Sequence, residues 1–272
     1  HVVDLHGEAW AEPENIVTCG PFRLEAWQPG ELMTLARNPD YPGRFRGNLE
    51  CVELLLSDLE AAVSLEMYEG DRLDVVDVTA VEVDRMRQRH AGEYRRYPQL
   101  VTVYLQFDVS RPPFDDVRVR RAFALATDRE ALVKAVMPHC FPATGGFVPL
   151  GMPGHLPGIG LPCDPGRARQ LLTEAGYPRG QSFPVVECVT LTGQADLGEN
   201  LQAQWQENLG VKIEWETVDW QAILARLGEQ VPHLLIMGWM ADYPDPDNFM
   251  RARIDHIQQQ SGWRNEAYDS LV

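Results

Sequence analysis

The sequence lacks the motifs that identify most enzyme classes. It has no G-x-S-x-G nucleophile elbow, no H-E-x-x-H zinc motif, no P-loop and no dinucleotide-binding fingerprint. Its seven histidines are scattered, and His139 next to Cys140 is a weak metal signal without two further ligands nearby. Asp245 and Asp247 lack the glycine and glutamate that a calcium-binding loop requires, so we interpret them as turn residues. We therefore expect no catalytic residue, no metal and no cofactor.

Cysteine and lysine are also scarce. The five cysteines have wide, irregular spacing and form no C-x-x-C pair, which argues against zinc and thioredoxin-like sites. Because five is an odd number, at least one thiol must be unpaired in a monomer. We expect buried, apolar cysteines, while one or two disulfides remain open. Only Lys134 and Lys212 are lysines, which we attribute to compositional bias.

Basic residues are fewer than acidic residues. Lysine and arginine total 24 against 40 acidic residues, a formal net charge of −16 that argues against nucleic acid or an anionic membrane as a partner. An acidic protein suits a cationic or zwitterionic ligand. The chain begins at His1, with no signal peptide and no apolar run long enough to span a bilayer. We expect either a removed leader or a piece of a longer protein. Its 272 residues and 44% hydrophobic content predict a globular domain or two lobes.

Strand-like and helix-like patterns alternate along the chain. Short apolar runs between glycine and proline turns predict strands, and acidic caps before apolar residues at helical spacing predict helices. This alternation predicts an α/β fold. The Gly- and Pro-rich stretch 138–165 predicts an irregular segment that is functional or wraps a surface. Strands are predicted at 19–24, 32–35, 51–56, 73–78, 101–107, 185–191, 211–216 and 234–238, and helices at 59–69, 81–89, 116–136 (with Asp115 or Asp116 as its cap), 165–175, 200–209 and 220–227.

The most informative segment follows the last predicted strand. After the apolar run 234–237 the chain reads Gly-Trp-Met-Ala-Asp-Tyr-Pro-Asp-Pro-Asp-Asn-Phe, residues 238–249, and its prolines exclude a regular helix or central strand. A strand end that brings an aromatic ring and a carboxylate into a loop often builds a ligand site. Local sequence leaves two alternatives open. An aspartate beside prolines often only forms a turn, and a tryptophan often lies in the core.

Five segments together resemble solute-binding protein family 5, the peptide-binding receptors of ABC importers. Residues 238–249 resemble the family's ligand loop nearly letter for letter. Residues 19–27, C-G-P-F-R-L-E-A-W, resemble G-T-G-P-Y-x-L-x-x-W, and 35–41 resemble R-N-x-x-Y. Residues 112–122 resemble P-P-F-x-D-x-R-V-R-x-A, and 164–177 resemble D-P-x-x-A-x-x-L-L-x-x-A-G-Y. The order and spacing agree across nearly the whole chain.

The resemblance implies a periplasmic-binding-protein-like fold of class II. Its two lobes contain mixed β-sheets flanked by helices, with residues 1–107 in a partial first lobe and 108–272 in the second. Asp242 is implied to hold the positive amino end of a ligand, and we expect it at the floor of an inter-lobe cleft, partly shielded from water. A ligand would also meet the Trp239 ring and the backbone groups of Gly238, Met240 and Ala241.

The resemblance also implies a function. It predicts a non-enzymatic, periplasmic or extracellular domain that binds short peptides or similar amine-bearing solutes and delivers them to the permease subunits of an ABC importer. The alternative is the ligand-sensing domain of a cytoplasmic transcriptional regulator, because similar domains also occur fused to DNA-binding domains. The family's N-terminal third and C-terminal strands have no counterpart here, so we expect a fragment or a shortened sensor. Exposed sheet edges would favour a homodimer.

Overall fold

The computed structural model describes residues 2–44, 47–56, 61–79, 81–97, 99–136, 142–229 and 231–271. The chain divides into two compact units, residues 1–79 and 80–272. This division comes before the predicted lobe boundary at 107/108. Strand β4, Val101–Phe107, belongs to the second unit by its pairing. The assignment of residues to lobes stays a prediction.

The first unit is built on an antiparallel sheet of three strands. Helix α1, Val2–His6, and a 3-10 turn, Gly7–Ala11, precede strands β1, Phe22–Gln28, β2, Leu32–Arg37, and β3, Cys51–Leu55, and helix α2, Ala61–Glu69, follows. The predicted hairpin is confirmed. Gly30 adopts a φ of +76° at its turn, and the Glu31 amide donates to the Gln28 carbonyl at 3.0 Å. The helix cap expected at Asp58 lies outside the described residues.

The strand predicted at 73–78 is wrong, since the structure is irregular there. The pattern Leu-Asp-Val-Val-Asp-Val alternates as a strand should, but Val75 is 84% exposed. No described strand of this unit lies beside the segment to accept its backbone hydrogen bonds. Alternation therefore predicts a strand only where a neighbouring strand exists.

The second unit is built on a mixed sheet of four strands in the order β4-β7-β5-β6. Strands β5, Cys188–Leu191, β6, Trp215–Val218, and β7, Leu234–Met240, join β4 in it. Strand β7 runs antiparallel to β4, with Leu234 opposite Phe107 and Met240 opposite Val101, whereas β5 runs parallel to both β6 and β7. A mixed sheet of this kind agrees with the predicted fold class.

Helices cover this sheet, and the main core lies between them and one of its faces. The largest buried side chains there are Phe114, Phe123 and Trp205, whose rings pack edge to face. The Trp205 indole donates to the Thr127 hydroxyl at 3.0 Å, so its polar atom is satisfied within the core. The helices of this unit are α3 Val83–Arg89, α4 Val117–Leu125, α5 Arg129–Val136, α6 Pro165–Glu174, α7 Ala195–Leu209, α8 Trp220–Glu229, α9 Ile254–Ser261 and α10 Glu266–Asp269.

The long helix predicted at 116–136 is two helices, α4 and α5. Of the two candidate caps, Asp115 and Asp116, the structure uses Asp116, whose carboxylate accepts from the Arg118 amide at 2.7 Å. Helix α4 ends at Leu125, and Thr127 lies between the two helices. Asp128 then caps α5, with its carboxylate accepting from the Ala131 amide at 3.0 Å. The strand predicted at 211–216 also lies later in the chain, because the structure forms β6 at Trp215–Val218.

Residues 142–164 are irregular, as predicted, and lie against the sheet and the loop that follows β7. The Thr102 hydroxyl donates to the Phe147 carbonyl at 2.9 Å, and the Phe147 ring packs edge to face on Tyr104. Near the middle of the segment, Gly154 has a positive φ and approaches Pro246. The segment therefore wraps one end of the sheet, beside the predicted ligand loop.

Four described cysteines are unpaired, which agrees with the expectation of at least one free thiol. Their exposure differs from the burial that we expected. Cys188 is buried in the core, whereas Cys19, Cys51 and Cys163 are exposed. Cys140, with His139, lies outside the described residues.

Candidate functional site

The site is the loop between strand β7 and the following helix. Strand β7 pairs with β4 as far as Met240, and the Ala241 amide donates to the Leu100 carbonyl at 2.8 Å. The two prolines of the loop, Pro244 and Pro246, then take the chain out of the sheet. It returns as one turn of π-helix, Asn248–Arg253, which continues into α9. Strand β7 and the π-helical turn thus fix both ends of the loop, and the side chains described below contact one another between these ends.

Asn248 joins two of the five predicted site residues, Trp239 and Asp242. Its carbonyl oxygen accepts from the Trp239 indole nitrogen at 2.8 Å and from the Asp242 amide at 3.2 Å. Its amide nitrogen donates to Oδ2 of Asp242 at 3.1 Å. Asn248 is 1% exposed, so this amide is held rigidly while it orients an aromatic ring and a carboxylate. The structure therefore links Trp239 and Asp242 through one buried amide.

The predicted site residues differ in how far they reach solvent. Asp242 is exposed, Met240 is 58% exposed, and Gly238, Trp239 and Ala241 are half-buried. The expected partial shielding of Asp242 is thus absent from this structure. Its Oδ1 has no hydrogen-bond partner among the described residues, whereas Oδ2 is held by Asn248. The carboxylate is positioned and still has one oxygen available.

Strand β7 also lacks a strand neighbour on one side near these residues. The pairing of β5 with β7 ends at Val189 and Leu235, although β7 continues to Met240. From Ile236 onward, the β5 side of β7 therefore has no strand neighbour in the part of the chain that the structure describes. An edge of this kind can accept an extended segment as an added strand.

The other aspartates of the loop form local structure. The Asp245 carboxylate accepts from the Asp247 amide at 2.9 Å, and the Asp247 carboxylate accepts from the Tyr243 hydroxyl at 3.0 Å. Asp247 also pairs with Arg251, four residues along, at 2.9 Å. These contacts agree with their interpretation as turn residues. Among the described residues, no group of three or more His, Cys, Asp or Glu is arranged to hold a metal ion.

A buried cation lies against the site. Arg253 is 4% exposed, and its Nε donates to the Tyr104 hydroxyl at 2.6 Å. Its Cζ lies 4.9 Å from the centre of the Trp239 ring, within the range of a cation–π contact. Burial raises the pKa of the Tyr104 hydroxyl against the opposing charge of Arg253, so the hydroxyl stays neutral. Arg253 forms no ion pair with any described carboxylate.

Sequence reasoning missed Asn248, Arg253 and Tyr104 as parts of this site. Asn248 stands inside the quoted loop, but an asparagine after proline and aspartate is typical of a turn. Arg253 follows the loop in a stretch that carries no motif. Tyr104 is far away in sequence, and only the pairing of β4 with β7 brings it near. No local signal would have placed these three residues together.

Comparison with known families decides what kind of protein carries this loop. Residues 2–256 match the family model described as bacterial extracellular solute-binding proteins, family 5 middle. The chain belongs to this family. It is 30% identical to the probable deoxycholate-binding periplasmic protein YgiS of Escherichia coli, over 100% of the chain and 52% of that protein. It is 26% identical to the periplasmic oligopeptide-binding protein OppA of the same bacterium, over 99% of the chain and 51% of OppA.

The solved structures agree with the fold. OppA of Burkholderia pseudomallei superposes with a TM-score of 0.80 and 27% identity, covering 100% of this chain and 55% of that one. The family 5 chain thus has the periplasmic-binding-protein fold of class II, with mixed sheets flanked by helices. It spans about half the length of the curated relatives that it matches. No helix among its described residues is both long and apolar enough to cross a membrane.

Proposed function

We propose that this chain is a periplasmic or extracellular solute-binding domain of an ABC importer, which binds short peptides or similar amine-bearing solutes. The observation that carries the proposal is the Asp242 carboxylate, which Asn248 orients beside Trp239 while leaving one oxygen without a partner among the described residues. Membership of family 5 and the oligopeptide-binding relatives support it. These relatives are periplasmic, which favours the importer over the cytoplasmic regulator.

The chemistry of the loop suits the amino end of a peptide. An ammonium group would bind Oδ1 of Asp242, and a charge-assisted hydrogen bond of this kind contributes about 1.5–3 kcal/mol. The edge of β7 that lacks a strand neighbour would pair with the peptide backbone, which gives affinity without selecting side chains. Trp239 would supply a flat wall beside the first residues. The inter-lobe cleft, the hinge and the permease subunits as partners belong to this same proposal.

The proposal is tested by calorimetric titration with dipeptides to pentapeptides. We compare the wild-type chain with Asp242→Asn, which keeps the shape of the side chain and removes its charge. The expected loss of affinity is about tenfold to a hundredfold, because about 1.4 kcal/mol corresponds to a factor of ten. An N-acetylated peptide should lose a similar factor against the wild type.

The matched control is Asp245→Asn, an aspartate of the same loop whose carboxylate only holds a turn. It should leave peptide affinity within about twofold of the wild type. Equal affinities for wild type and Asp242→Asn would refute the role of Asp242. Failure of every peptide to bind the wild type would count against the proposed function as a whole.

A second candidate solute is an anionic amphipathic molecule such as deoxycholate. Arg253, which has no carboxylate partner among the described residues, favours it, and so does the name of the YgiS relative. Binding of deoxycholate that survives Asp242→Asn, together with no binding of peptides, would select this candidate. A homodimer is also proposed, and a monomer by light scattering at micromolar concentration would contradict it.

A further inference from the structure

Arg253 is a buried charge whose compensation is incomplete. A buried guanidinium ordinarily has a carboxylate partner, because removing an ion from water is costly. Among the described residues, Arg253 has only the Tyr104 hydroxyl and the rings of Tyr104 and Trp239 as compensating contacts. The nearest aspartates in sequence do not provide a partner: Asp247 pairs with Arg251, and Asp255 is exposed.

The hydrogen-bond donors of Arg253 are also only partly used. A guanidinium has five N–H donors. Nε and Nη2 both donate to the hydroxyl oxygen of Tyr104. Nη1 has no acceptor among the described residues. The side chain therefore retains both an uncompensated charge and donor capacity on the side away from Tyr104.

One ring connects this cation to the predicted anchor. The indole nitrogen of Trp239 leads through Asn248 to the Asp242 carboxylate, and the face of the same ring lies against Arg253. A negative side chain is thus linked to the nitrogen of one tryptophan through Asn248, and a positive side chain lies over the face of the same ring. A solute that lies along this ring would experience both charges.

We propose that Arg253 is a specificity-determining residue of this site, which makes it favour solutes that carry a carboxylate as well as an amino group. This inference rests on the proposed function. The charge of Arg253 stabilises the anionic end of the solute while Asp242 binds the cationic end. Two unit charges about 12 Å apart at an effective permittivity of about 20 attract strongly enough to change affinity about tenfold.

The test compares three forms of one tripeptide: the free acid, the C-terminal amide and the N-acetyl derivative. Each is titrated into the wild type, Arg253→Met, Arg253→Lys and Arg251→Met. The wild type should bind the free acid about tenfold more tightly than the amide. Arg253→Met should bind both about equally, whereas Arg253→Lys, which retains the charge, should keep most of the preference for the acid.

Arg251→Met is the matched control, because it removes the same charge from the same helical turn. Arg251 is exposed and already paired with Asp247, so this variant should keep the preference of the wild type for the acid. Melting curves of each variant show whether it is folded. The ratio of acid to amide affinity in the wild type needs no variant at all, so it tests the inference even if Arg253→Met does not fold.

Different failures have different meanings. Equal binding of acid and amide by the wild type would overturn the inference and leave the proposed function intact. An unchanged preference in a folded Arg253→Met would also overturn it, and would assign Arg253 to packing alone. If the wild type binds no peptide form, the proposed function fails first and this inference fails with it.

Discussion

Replacing Asn248 tests how the site is held together. Asn248→Ala removes three hydrogen bonds, two that reach Asp242 and one from the indole of Trp239. Each contributes about 1 kcal/mol on average, and the lost packing at a position 1% exposed adds to this. We expect a loss of about 2–4 kcal/mol in the free energy of unfolding. For a domain of this size that lowers the melting temperature by about 5–12 °C.

Asn248→Asp separates orientation from charge. The new side chain has the same size and can still accept from the Trp239 indole and the Asp242 amide. It replaces the donating amide with a carboxylate oxygen at the position that now lies 3.1 Å from Oδ2 of Asp242. Two carboxylates so close cannot both ionise freely, and the pair therefore binds a proton at a higher pH than two separate aspartates.

The sign of the pH dependence follows from that shift. In the folded variant one carboxyl pKa is raised above its unfolded value of about 3.9. The free energy of unfolding of Asn248→Asp, compared with the wild type, is therefore retained below about pH 4. It decreases as the pH rises through the raised pKa. We expect Asn248→Asp to be less stable than the wild type at pH 7, and the difference to shrink as the pH is lowered toward 4.

Urea unfolding followed by far-ultraviolet circular dichroism between pH 4 and pH 8 measures both variants. If the free energy of unfolding of Asn248→Ala lies within about 0.5 kcal/mol of the wild type, the three hydrogen bonds of Asn248 do not stabilise the fold, because ordinary surface substitutions have effects of that size. A deficit in Asn248→Asp that does not vary with pH would refute the contact with Asp242. Peptide affinity should fall in both variants, because Asp242 loses its orientation.

Three further predictions concern contacts away from the site. Asp108→Ala should cost about 3 kcal/mol in urea unfolding, because the buried carboxylate accepts from Arg111 Nε at 2.6 Å; a loss below about 1 kcal/mol would contradict this. Burial raises the pKa of the Cys188 thiol, so alkylation of the folded chain followed by peptide mass spectrometry should leave Cys188 unmodified, while it labels Cys19, Cys51 and Cys163. Burial, assisted by Arg111, lowers the pKa of His233, whose ring accepts from the Glu187 amide. As pH falls, the unfolded chain therefore binds a proton at this histidine near the ordinary pKa of about 6.5, before the folded chain does. Stability should fall as pH drops below that value, and His233→Asn should show a flatter profile between pH 7 and pH 5.

Local chemistry allowed much of the fold to be predicted. Asp164 and Asp219 cap their helices where the sequence placed them, since an aspartate before an apolar periodic run satisfies the first free amides. Gly210 ends α7 in the left-handed conformation that glycine favours, with a φ of 72°. These signals lie within a few residues of the structure they produce, so they can be recognised without knowledge of the rest of the chain.

Features that depend on distant partners could not be predicted in this way. The segment 73–78, expected to be a strand, pairs with no described strand. The break between α4 and α5 contains Thr127, whose hydroxyl accepts from the distant Trp205 indole in the core. In the site, the sequence indicated Trp239 and Asp242 through a family resemblance. It did not indicate Asn248 or Arg253, because their roles arise from where the π-helical turn lies against β4 and β7.

The exposure of Asp242 also limits what this residue can contribute alone. An ion pair in full contact with water contributes about 0–1 kcal/mol, whereas a shielded, charge-assisted hydrogen bond contributes about 1.5–3 kcal/mol. The difference must come from whatever excludes water once the solute is bound. A peptide that adds a strand to the edge of β7 that lacks a strand neighbour would provide part of that cover, because its own backbone would lie beside Asp242. Orientation by Asn248 and shielding by the solute are then separate requirements, and only the first is already met in the structure.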